Sequence, residues 1–232
     1  MRLALIGYGA MGRLVAEQAK AANDEVGGTF TSREANMAID EMAERLSGHE
    51  VAVDFSNASA VVRNVEACVR AGVPLVEGTT GWNDRQSEVK SLVQQHAGAL
   101  VYGANFSIGV NVFYRIVERA SQAFASLDQY EAFIEEQHHS RKKDAPSGTA
   151  VKIKDLMAKC GKAPLSIAST RAGEIPGTHR VGFDSTADQI TLTHMARSRE
   201  GFAAGALLAA RWIKGRKGVY EFSDVIDEIL KK

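Results

Sequence analysis

The chain is poor in cysteine and proline and carries no excess of charge of either sign. Its 232 residues include only two cysteines, Cys68 and Cys160, in separate helix-like segments, which argues against a disulfide framework and against a metal site. Lys and Arg number 28, as do Asp and Glu, so the charge favours neither nucleic acid nor an anionic membrane as a partner. So few cysteines fit a reducing compartment, and we expect a cytoplasmic protein.

Long apolar runs are missing as well. No stretch approaches the roughly 20 residues of a membrane span, and the chain enters a strand at its start, so we expect neither a membrane anchor nor a signal peptide. There is no internal repeat and no proline-rich linker, since only four prolines occur. Hydrophobic residues make up 45%, which allows one large domain or two small ones with a real core.

Strand and helix patterns alternate through the first half of the chain. Apolar runs predict strands at residues 3–6, 25–30, 51–55, 74–77 and 100–103. Helical periodicity predicts intervening helices at residues 13–22, 37–46, 60–71 and 84–96. Ser59 is expected to cap the third helix and Gly72 to end it. This alternation is typical of an α/β fold, and we predict a Rossmann-like dinucleotide domain with a parallel sheet over residues 1–106.

The order of elements changes in the second half. A long helix, a strand and a second helix are predicted at residues 108–124, 130–137 and 147–159. Three further strands are predicted at residues 166–171, 179–183 and 189–196. This order predicts an α+β substrate domain with an antiparallel or mixed sheet over residues 107–202. Two last helices, at 202–214 and at 225–230 with Ser223 or Asp224 as cap, are expected to complete the first domain as residues 203–232.

A glycine-rich motif follows the first predicted strand and opens a helix. Such glycines let the backbone turn tightly and approach a pyrophosphate, while the helix N-terminus offers N–H groups and a positive dipole end. The motif alone is weak, but four more strand–helix units follow it, so we predict dinucleotide binding. The alternative is a glycine-rich turn that only packs helix against strand. The candidate residues are Gly7, Tyr8, Gly9, Ala10, Met11 and Gly12.

The end of the second predicted strand bears on the choice of cofactor. An NAD-binding fold places an acid there to hold the ribose hydroxyls. Here the chain has Thr31, Ser32 and Arg33, and the first acid is Glu34. Hydroxyls and an arginine suit a 2′-phosphate, so we expect both NADPH and NADH to be used, with NADPH favoured. The alternative is a capped helix start, with Ser32 as N-cap and Arg33 in water.

Two further loops lie where the predicted parallel sheet would bind ligands, after the carboxyl ends of its strands. Glycines there permit close approach, and threonine and asparagine side chains offer hydrogen bonds. Either loop could instead be a plain turn. The candidate cofactor residues in these loops are Gly78, Thr79, Thr80, Gly103, Ala104, Asn105 and Phe106.

Residues 138–150 read HHSRKKDAPSGTA, with two histidines and three cations in six residues. A helix is predicted to begin at Ser147-Gly148-Thr149, where hydroxyls and N–H groups can bind a carboxylate or phosphate. Lys142 supplies a cation, and an imidazole can carry a proton near neutral pH. Histidines are often structural, and His138 with His139 could ligate a metal. Adjacent side chains diverge on a strand, however, and no cysteine or HxxxH partner is present, so we predict no metal.

The stretch His138-His139-x-x-Lys142-x-Asp144-Ala145-Pro146-Ser147-Gly148-Thr149-Ala150 resembles the signature of the 4-hydroxy-tetrahydrodipicolinate reductase family, formerly called dihydrodipicolinate reductase, of bacterial lysine biosynthesis. The resemblance covers the whole chain. Further matches are Gly78-Thr79-Thr80-Gly81, Ala104-Asn105-Phe106-Ser107-Ile108-Gly109-Val110-Asn111, Arg171-x-Gly173-x-x-x-Gly177-x-His179 and Arg199-x-x-Phe202-Ala203-x-Gly205-Ala206.

The resemblance implies that NADH or NADPH reduces a cyclic dicarboxylate to tetrahydrodipicolinate, and that the second domain builds a homotetramer through its sheet. It also implies that His138 is the acid/base residue and Lys142 the proton donor. His139, Lys142, Ser147, Gly148 and Thr149 would hold the substrate carboxylates. Many members have a longer first glycine turn, and many carry an acid at the position of Thr31 or Ser32.

Two other functions remain open. Another dinucleotide reductase, such as an amino-acid or aldehyde dehydrogenase, would lack the constellation at 138–150. A nucleotide-sensing regulator would need a partner-binding or DNA-binding segment, and the sequence has no basic helix of that kind.

Overall fold

The computed structural model describes residues 1–161 and 165–231, which form two compact units. The first unit combines Met1–Ile108 with the segment that begins at Arg199, and the second is Gly109–Ser198. Each unit is described below by itself.

The first part of the chain alternates strands and helices as its apolar pattern predicts. In chain order the elements are β1 (Arg2–Ile6), α1 (Ala10–Ala21), β2 (Glu25–Phe30), α2 (Ile39–Leu46), β3 (Val51–Asp54), α3 (Val61–Arg70), β4 (Leu75–Glu77), α4 (Gln86–Gln95) and β5 (Ala99–Tyr102). The second part continues with α5 (Ile108–Phe124), β6 (Glu131–His138), α6 (Gly148–Lys159), β7 (Ser166–Arg171), β8 (Thr178–Asp184), β9 (Gln189–Met195), α7 (Glu200–Ile213), β10 (Gly218–Glu221) and α8 (Phe222–Leu230).

The first unit is built on a six-stranded parallel sheet in the order β10-β5-β4-β3-β1-β2. Strands β3, β4 and β5 are buried at every position, because central strands of a parallel sheet are covered on both faces. The order reverses at β1, so the carboxyl ends of β1 and β3 border the crevice where such sheets bind ligands. The predicted Rossmann-like α/β class is confirmed.

The second unit holds a four-stranded mixed sheet in the order β7-β6-β8-β9. Strand β6 runs parallel to β7 and antiparallel to β8, since α6 carries the chain back before β7 begins. The alternating pattern of β6 puts Ala132 and Ile134 into a core that also takes apolar side chains from α5 and α6. The predicted α+β class with a mixed sheet is therefore confirmed as well.

Two local expectations were wrong, and one strand was missed. Ser59 does not cap α3; it lies in a 3₁₀ turn, and its hydroxyl donates to Asn57 at 2.6 Å. The last helix begins at Phe222 with Glu221 as N-cap, in a capping box with Asp224, so neither Ser223 nor Asp224 is the N-cap. Strand β10 was not predicted at all. Among the described helices, none is long and apolar enough to cross a membrane.

Candidate active site

The first glycine loop has the geometry that a pyrophosphate requires. Gly7 adopts a φ of +82°, which an L side chain rarely takes. A Cβ on Gly12 would lie 2.1 Å from the carbonyl oxygen of Gly7, so any side chain there would push α1 off the loop. Gly9 is the N-cap of α1 and has no side-chain cap, which leaves the start of that helix open to an anion.

A cavity of about 650 Å³ opens beside this loop within the first unit. It is lined by residues from the loop, the end of β2 and the segment after β3. They are Ile6, Gly7, Tyr8, Gly9, Phe30, Thr31, Ser32, Ala35, Asn36, Phe55, Ser56, Asn57, Ser59, Ala60, Arg63 and Asn64. The volume, the open helix start and the glycine backbone fit one half of a dinucleotide.

The predicted cofactor arginine is not the one that lines this cavity. Arg63 lines it, whereas Arg33 does not. The Arg63 guanidinium donates to the carbonyl oxygens of Glu34 and Ala35 and thereby holds the loop that follows β2. Sequence reasoning missed Arg63 because it lies 30 positions further on in α3, and no local motif connects it to that loop.

The end of β2 is a capped turn rather than an open pair of hydroxyls. Thr31 is the N-cap of a 3₁₀ turn, so the alternative that placed the cap at Ser32 was wrong by one residue. The carboxylate of Glu34 turns back and accepts from the Thr31 N–H at 2.7 Å and from its hydroxyl at 2.9 Å. These two hydrogen bonds lower the pKa of Glu34, so an anion lies at the end of this strand.

A second cavity, of about 200 Å³, lies in the same unit and shares Phe55 with the first. Four of its lining residues were predicted to bind cofactor, namely Met11, Gly78, Ala104 and Phe106. Arg199 and Phe202 also line it, and they were noticed only as part of the resemblance. Thr80 is exposed outside both cavities, while Thr79 has its hydroxyl engaged by the N–H of Ser56 at 3.1 Å.

Two buried carboxyl groups support the loops around these cavities. Asp54 and Glu77 end β3 and β4, stand opposite each other in the parallel register, and are each 0% exposed. Asp54 accepts from the N–H of Ser56 at 2.7 Å and from Asn64 Nδ2 at 2.7 Å. Glu77 accepts from the N–H of Thr79 at 2.7 Å. Burial raises the pKa of both groups, and the charge of Asp54 raises that of Glu77 further.

In the second unit, His138 is the last residue of β6 and is 8% exposed. Its Nδ1 atom contacts Oε2 of Glu136, which lies two residues earlier and on the same face of the strand. Arg171 ends the neighbouring strand β7, and its guanidinium lies 2.7 Å from Oε1 of Glu136. A histidine, an anion and a cation are thus arranged in one buried row.

Lys142 lies in the loop after β6, where Asp144 pairs with its Nζ atom at 2.8 Å. The Lys142 side chain is 25% exposed and close enough to His138 to lower the pKa of that imidazole. Burial is the larger cause of that lowering, and Glu136 opposes it. His138 and Lys142, the two predicted proton carriers, are therefore neighbours.

Three of the five predicted carboxylate-binding residues, Ser147, Gly148 and Thr149, lie at the start of α6, whereas His139 and Lys142 lie in the loop after β6. Ser147 is its N-cap, and its hydroxyl accepts from the N–H of Ala150 at 3.2 Å and contacts Nε2 of His179 at 3.1 Å. Gly148 is exposed, and the hydroxyl of Thr149 bonds to that of Tyr114. Burial lowers the pKa of His179 to about 4, so its ring is neutral. The hydroxyl of Ser147 is thus occupied by two contacts within the protein, one with the Ala150 N–H and one with the ring of His179.

Glu136, His138 and His179 bring three possible ligand atoms within 4.8 Å of one another. Neither the sequence motif nor the spacing drew attention to this group, because His179 comes from β8. Arg171 lies in direct contact with Glu136, so the negative charge in this group is already paired with a cation of the protein.

Two family models match the chain: "Dihydrodipicolinate reductase, N-terminus" over residues 1–106 and "Dihydrodipicolinate reductase, C-terminus" over residues 109–226. The chain belongs to the dihydrodipicolinate reductase family. A 4-hydroxy-tetrahydrodipicolinate reductase from Christiangramia forsetii is 32% identical over the full length of both chains. One from Methanosarcina barkeri is 38% identical over 76% of this chain and 73% of its own.

The fold is shared with a solved member of the family. The dipicolinate-bound dihydrodipicolinate reductase from Paenisporosarcina sp. TG-14 superposes with a TM-score of 0.81 at 20% identity, over 97% of this chain and 99% of its own. Membership in the dihydrodipicolinate reductase family confirms an oxidoreductase, and its dinucleotide-binding domain confirms the use of NAD(P)H.

Proposed function

We propose that this protein reduces 4-hydroxy-tetrahydrodipicolinate to tetrahydrodipicolinate with NAD(P)H, in the pathway to diaminopimelate and lysine. The observation that carries this proposal is the segment 138–150, which contains an imidazole, a lysine and the start of a helix in a chain of this family. A relative named for this reaction, from Christiangramia forsetii, aligns with the whole chain.

The reaction replaces a hydroxyl group by hydrogen, so it consumes a hydride and a proton and releases water. The bound dinucleotide supplies the hydride. The protein has to deliver the proton and hold a substrate that carries two carboxylates. We assign proton transfer to His138 as acid/base and Lys142 as donor. Lys142 is the more exposed of the two, and its Nζ atom lies 2.8 Å from the carboxylate of Asp144.

The substrate carboxylates are assigned to His139, Lys142, Ser147, Gly148 and Thr149. The support lies in the start of α6, whose first N–H groups can donate to an anion. Because the Ser147 hydroxyl contacts His179, we assign the carboxylate contact of Ser147 to its backbone rather than to its side chain.

We assign cofactor binding in the first unit to the four loops identified from the sequence: Gly7, Tyr8, Gly9, Ala10, Met11 and Gly12; Thr31, Ser32 and Arg33; Gly78, Thr79 and Thr80; and Gly103, Ala104, Asn105 and Phe106. The larger cavity suits the adenosine half and the smaller one the nicotinamide half. We propose that both cofactors bind and that NADPH binds more tightly, because Arg33 and Arg63 surround the turn after β2. The anion of Glu34, held on Thr31, is the group that favours NADH.

Two further proposals concern the state of the protein. The edge strand β9 exposes Ile190 at 45% and Met195 at 62%, and these apolar side chains support a homotetramer formed through the second sheet. Cys68 and Cys160 are both free, which supports a cytoplasmic location.

The assay is the substrate-dependent loss of NAD(P)H absorbance with the purified protein. His138→Gln and Lys142→Ala should each lower kcat by about 10²–10⁴-fold, the usual contribution of a general acid or base. His96→Gln and Lys143→Ala, at exposed positions, are the matched controls and should stay near wild type. A wild-type protein that oxidises NAD(P)H no faster with the substrate than without it would contradict the proposed function.

The cofactor assignment is tested by comparing both dinucleotides. Arg33→Ala and Arg63→Ala should each raise KM for NADPH more than KM for NADH, because only NADPH carries the 2′-phosphate. An equal rise for both cofactors would mean that the arginine only holds the turn.

A further inference from the structure

One buried acid in the second unit has no place in the roles assigned so far. Glu136 is 1% exposed, and it was absent from the residues that the sequence motifs indicate. A buried carboxylate is costly unless it is paired, so its position next to a proton-carrying imidazole calls for a reason. Both of its oxygen atoms have neighbours that explain its charge. Oε1 lies 2.7 Å from the guanidinium of Arg171, and Oε2 contacts Nδ1 of His138.

We infer that Glu136 is the positioning residue of the active site, which holds His138 with its proton on Nδ1 and leaves Nε2 as the atom that exchanges protons with the substrate. The inference rests on the proposed function and adds a residue to it. A carboxylate accepts hydrogen bonds only, so the nitrogen in contact with Glu136 has to carry hydrogen. The same logic fixes imidazoles in other acid–base sites.

The backbone makes this arrangement stable. Glu136 and His138 are two residues apart on β6, so both side chains lie on one face of the sheet. In the sheet register Arg171 stands opposite His138, and His179 stands opposite Glu136. Arg171 therefore reaches Glu136 diagonally from the neighbouring strand, and the His179 ring packs edge-on to His138 with 5.1 Å between centroids. Each partner is held by a strand rather than by a loop.

The space beside the other nitrogen supports the assignment of Nε2. A Cβ on Gly177 would lie 3.1 Å from Nε2 of His138, so a glycine leaves that side of the ring clear. Nδ1, by contrast, is buried against Glu136.

Charges around His138 come from several elements, and each has a definite sign. Glu136 on β6 raises the pKa of His138, whereas burial, Lys142 in the following loop and Arg171 on β7 lower it. His179 on β8 is neutral above a pKa of about 4. Removing the charge of Glu136 should therefore move the pKa of His138 down, and the limb of the pH–rate profile that His138 controls should move to lower pH with it.

Glu136→Gln is the decisive variant, because an amide cannot accept from both neighbours. If its oxygen keeps the hydrogen bond from Arg171, its NH₂ group faces His138 and forces the proton onto Nε2. We expect kcat to fall by about 10²–10⁴-fold, the range for loss of a general acid or base, with little change in KM for the substrate. Glu135→Gln, next along the strand but on its exposed face, is the matched control and should keep near-normal kcat.

Two measurements separate positioning from a merely structural role. In a His138→Gln background, adding Glu136→Gln should cause no further loss of kcat, because the residue acts only through His138. Long-range ¹H–¹⁵N spectra of the wild-type protein should show His138 protonated on Nδ1, with the peak assigned by its absence in His138→Gln. This second measurement needs no folded Glu136 variant.

The outcomes are distinct from those of the function test. If wild type turns over the substrate and Glu136→Gln matches Glu135→Gln in kcat and in pH profile, the inference is wrong. A wild-type spectrum with the proton on Nε2 would overturn it as well. Absence of turnover in the wild type would contradict the proposed function alone, since the spectrum still reports the tautomer.

Discussion

Each compact unit buries a carboxyl cluster at the ends of its strands, and the pKa shifts in the two clusters have opposite sign. In the first unit Asp54 faces Glu77, acid against acid, and the pKa of each is raised. In the second unit Glu136 faces a cation and an imidazole. Burial pushes its pKa up, but the hydrogen bonds from Arg171 and Ser169 and the charge of His138 push it down further, so the net shift is downward.

The difference shows that burial alone does not decide the charge of a group. The carboxyl groups of both clusters are buried, yet the pKa is raised in one cluster and lowered in the other, because the neighbours differ in sign. The carboxyl pair of the first unit supports loops, because the backbone N–H groups of Ser56 and Thr79 donate to it. An anion beside an imidazole is suited to proton transfer. The comparison predicts that the two clusters respond in opposite ways when one partner is removed.

The largest effect should come from removing the cation of the second cluster. Arg171→Met leaves the carboxylate of Glu136 buried without its charged partner, which should lower the free energy of unfolding by about 3–5 kcal/mol. Urea unfolding followed by circular dichroism measures this. Arg141→Met is the control, because the ion pair of Arg141 with Glu174 is exposed and should contribute little to the free energy of unfolding. Equal unfolding midpoints for the two variants would show that Glu136 does not depend on Arg171.

A smaller effect concerns the histidine that the second cluster keeps neutral. Burial, followed by the charge of His138, lowers the pKa of His179 from its ordinary 6.5 to about 4. A base with a depressed folded pKa contributes stability above pH 6.5, and this contribution is lost as the pH falls towards 4. The shift corresponds to about 3 kcal/mol at most.

His179→Gln should remove that pH dependence. The free energy of unfolding of this variant should be lower than that of wild type, with the greatest difference at pH 7. The difference should shrink as the pH falls from 6.5 towards 4, as measured by urea unfolding at several pH values. His96→Gln, an exposed histidine, should follow the wild-type curve. A constant deficit at every pH would mean that His179 is not held neutral by its surroundings.

Much of this architecture could be predicted from the sequence, because local patterns carry it. Apolar runs located β1 to β5, and the motif at 138–150 located the helix start at Ser147. Strand β10 was not predicted because Gly218–Glu221 is short and only half-buried. It forms a strand only because β5 pairs with it. Neighbours in a sheet are set by tertiary pairing, which local propensity does not contain.

The candidate site shows the same limit. The alternation of β6 contained the signal for Glu136, since Ala132, Ile134, Glu136 and His138 share one face. Arg171 and His179 reach this face from other strands, and only the register brings them there. Asp54 and Glu77 each end an apolar strand, so both could have been noted as unusual, but their pairing required the register of β3 and β4.

The smallest effect comes from the first cluster. It should be an increase in the free energy of unfolding, whereas the two variants above should lower it. Glu77→Gln keeps the shape and the acceptor for the Thr79 N–H, and its NH₂ group can donate to Asp54 without needing a proton from solution. An acid with a raised folded pKa contributes most stability at low pH and loses that contribution as the pH rises above its ordinary value. The free energy of unfolding of the variant should therefore match that of wild type near pH 4 and exceed it by about 1–2 kcal/mol near pH 8. This difference lies at the lower end of the cost of a buried polar group without a full set of partners. Glu44→Gln on the exposed face of α2 makes the same change of charge and should stay level with wild type at both pH values. If Glu77→Gln is less stable than wild type at pH 8, Glu77 is ionised in the folded protein. The contrast between the two clusters would then be lost.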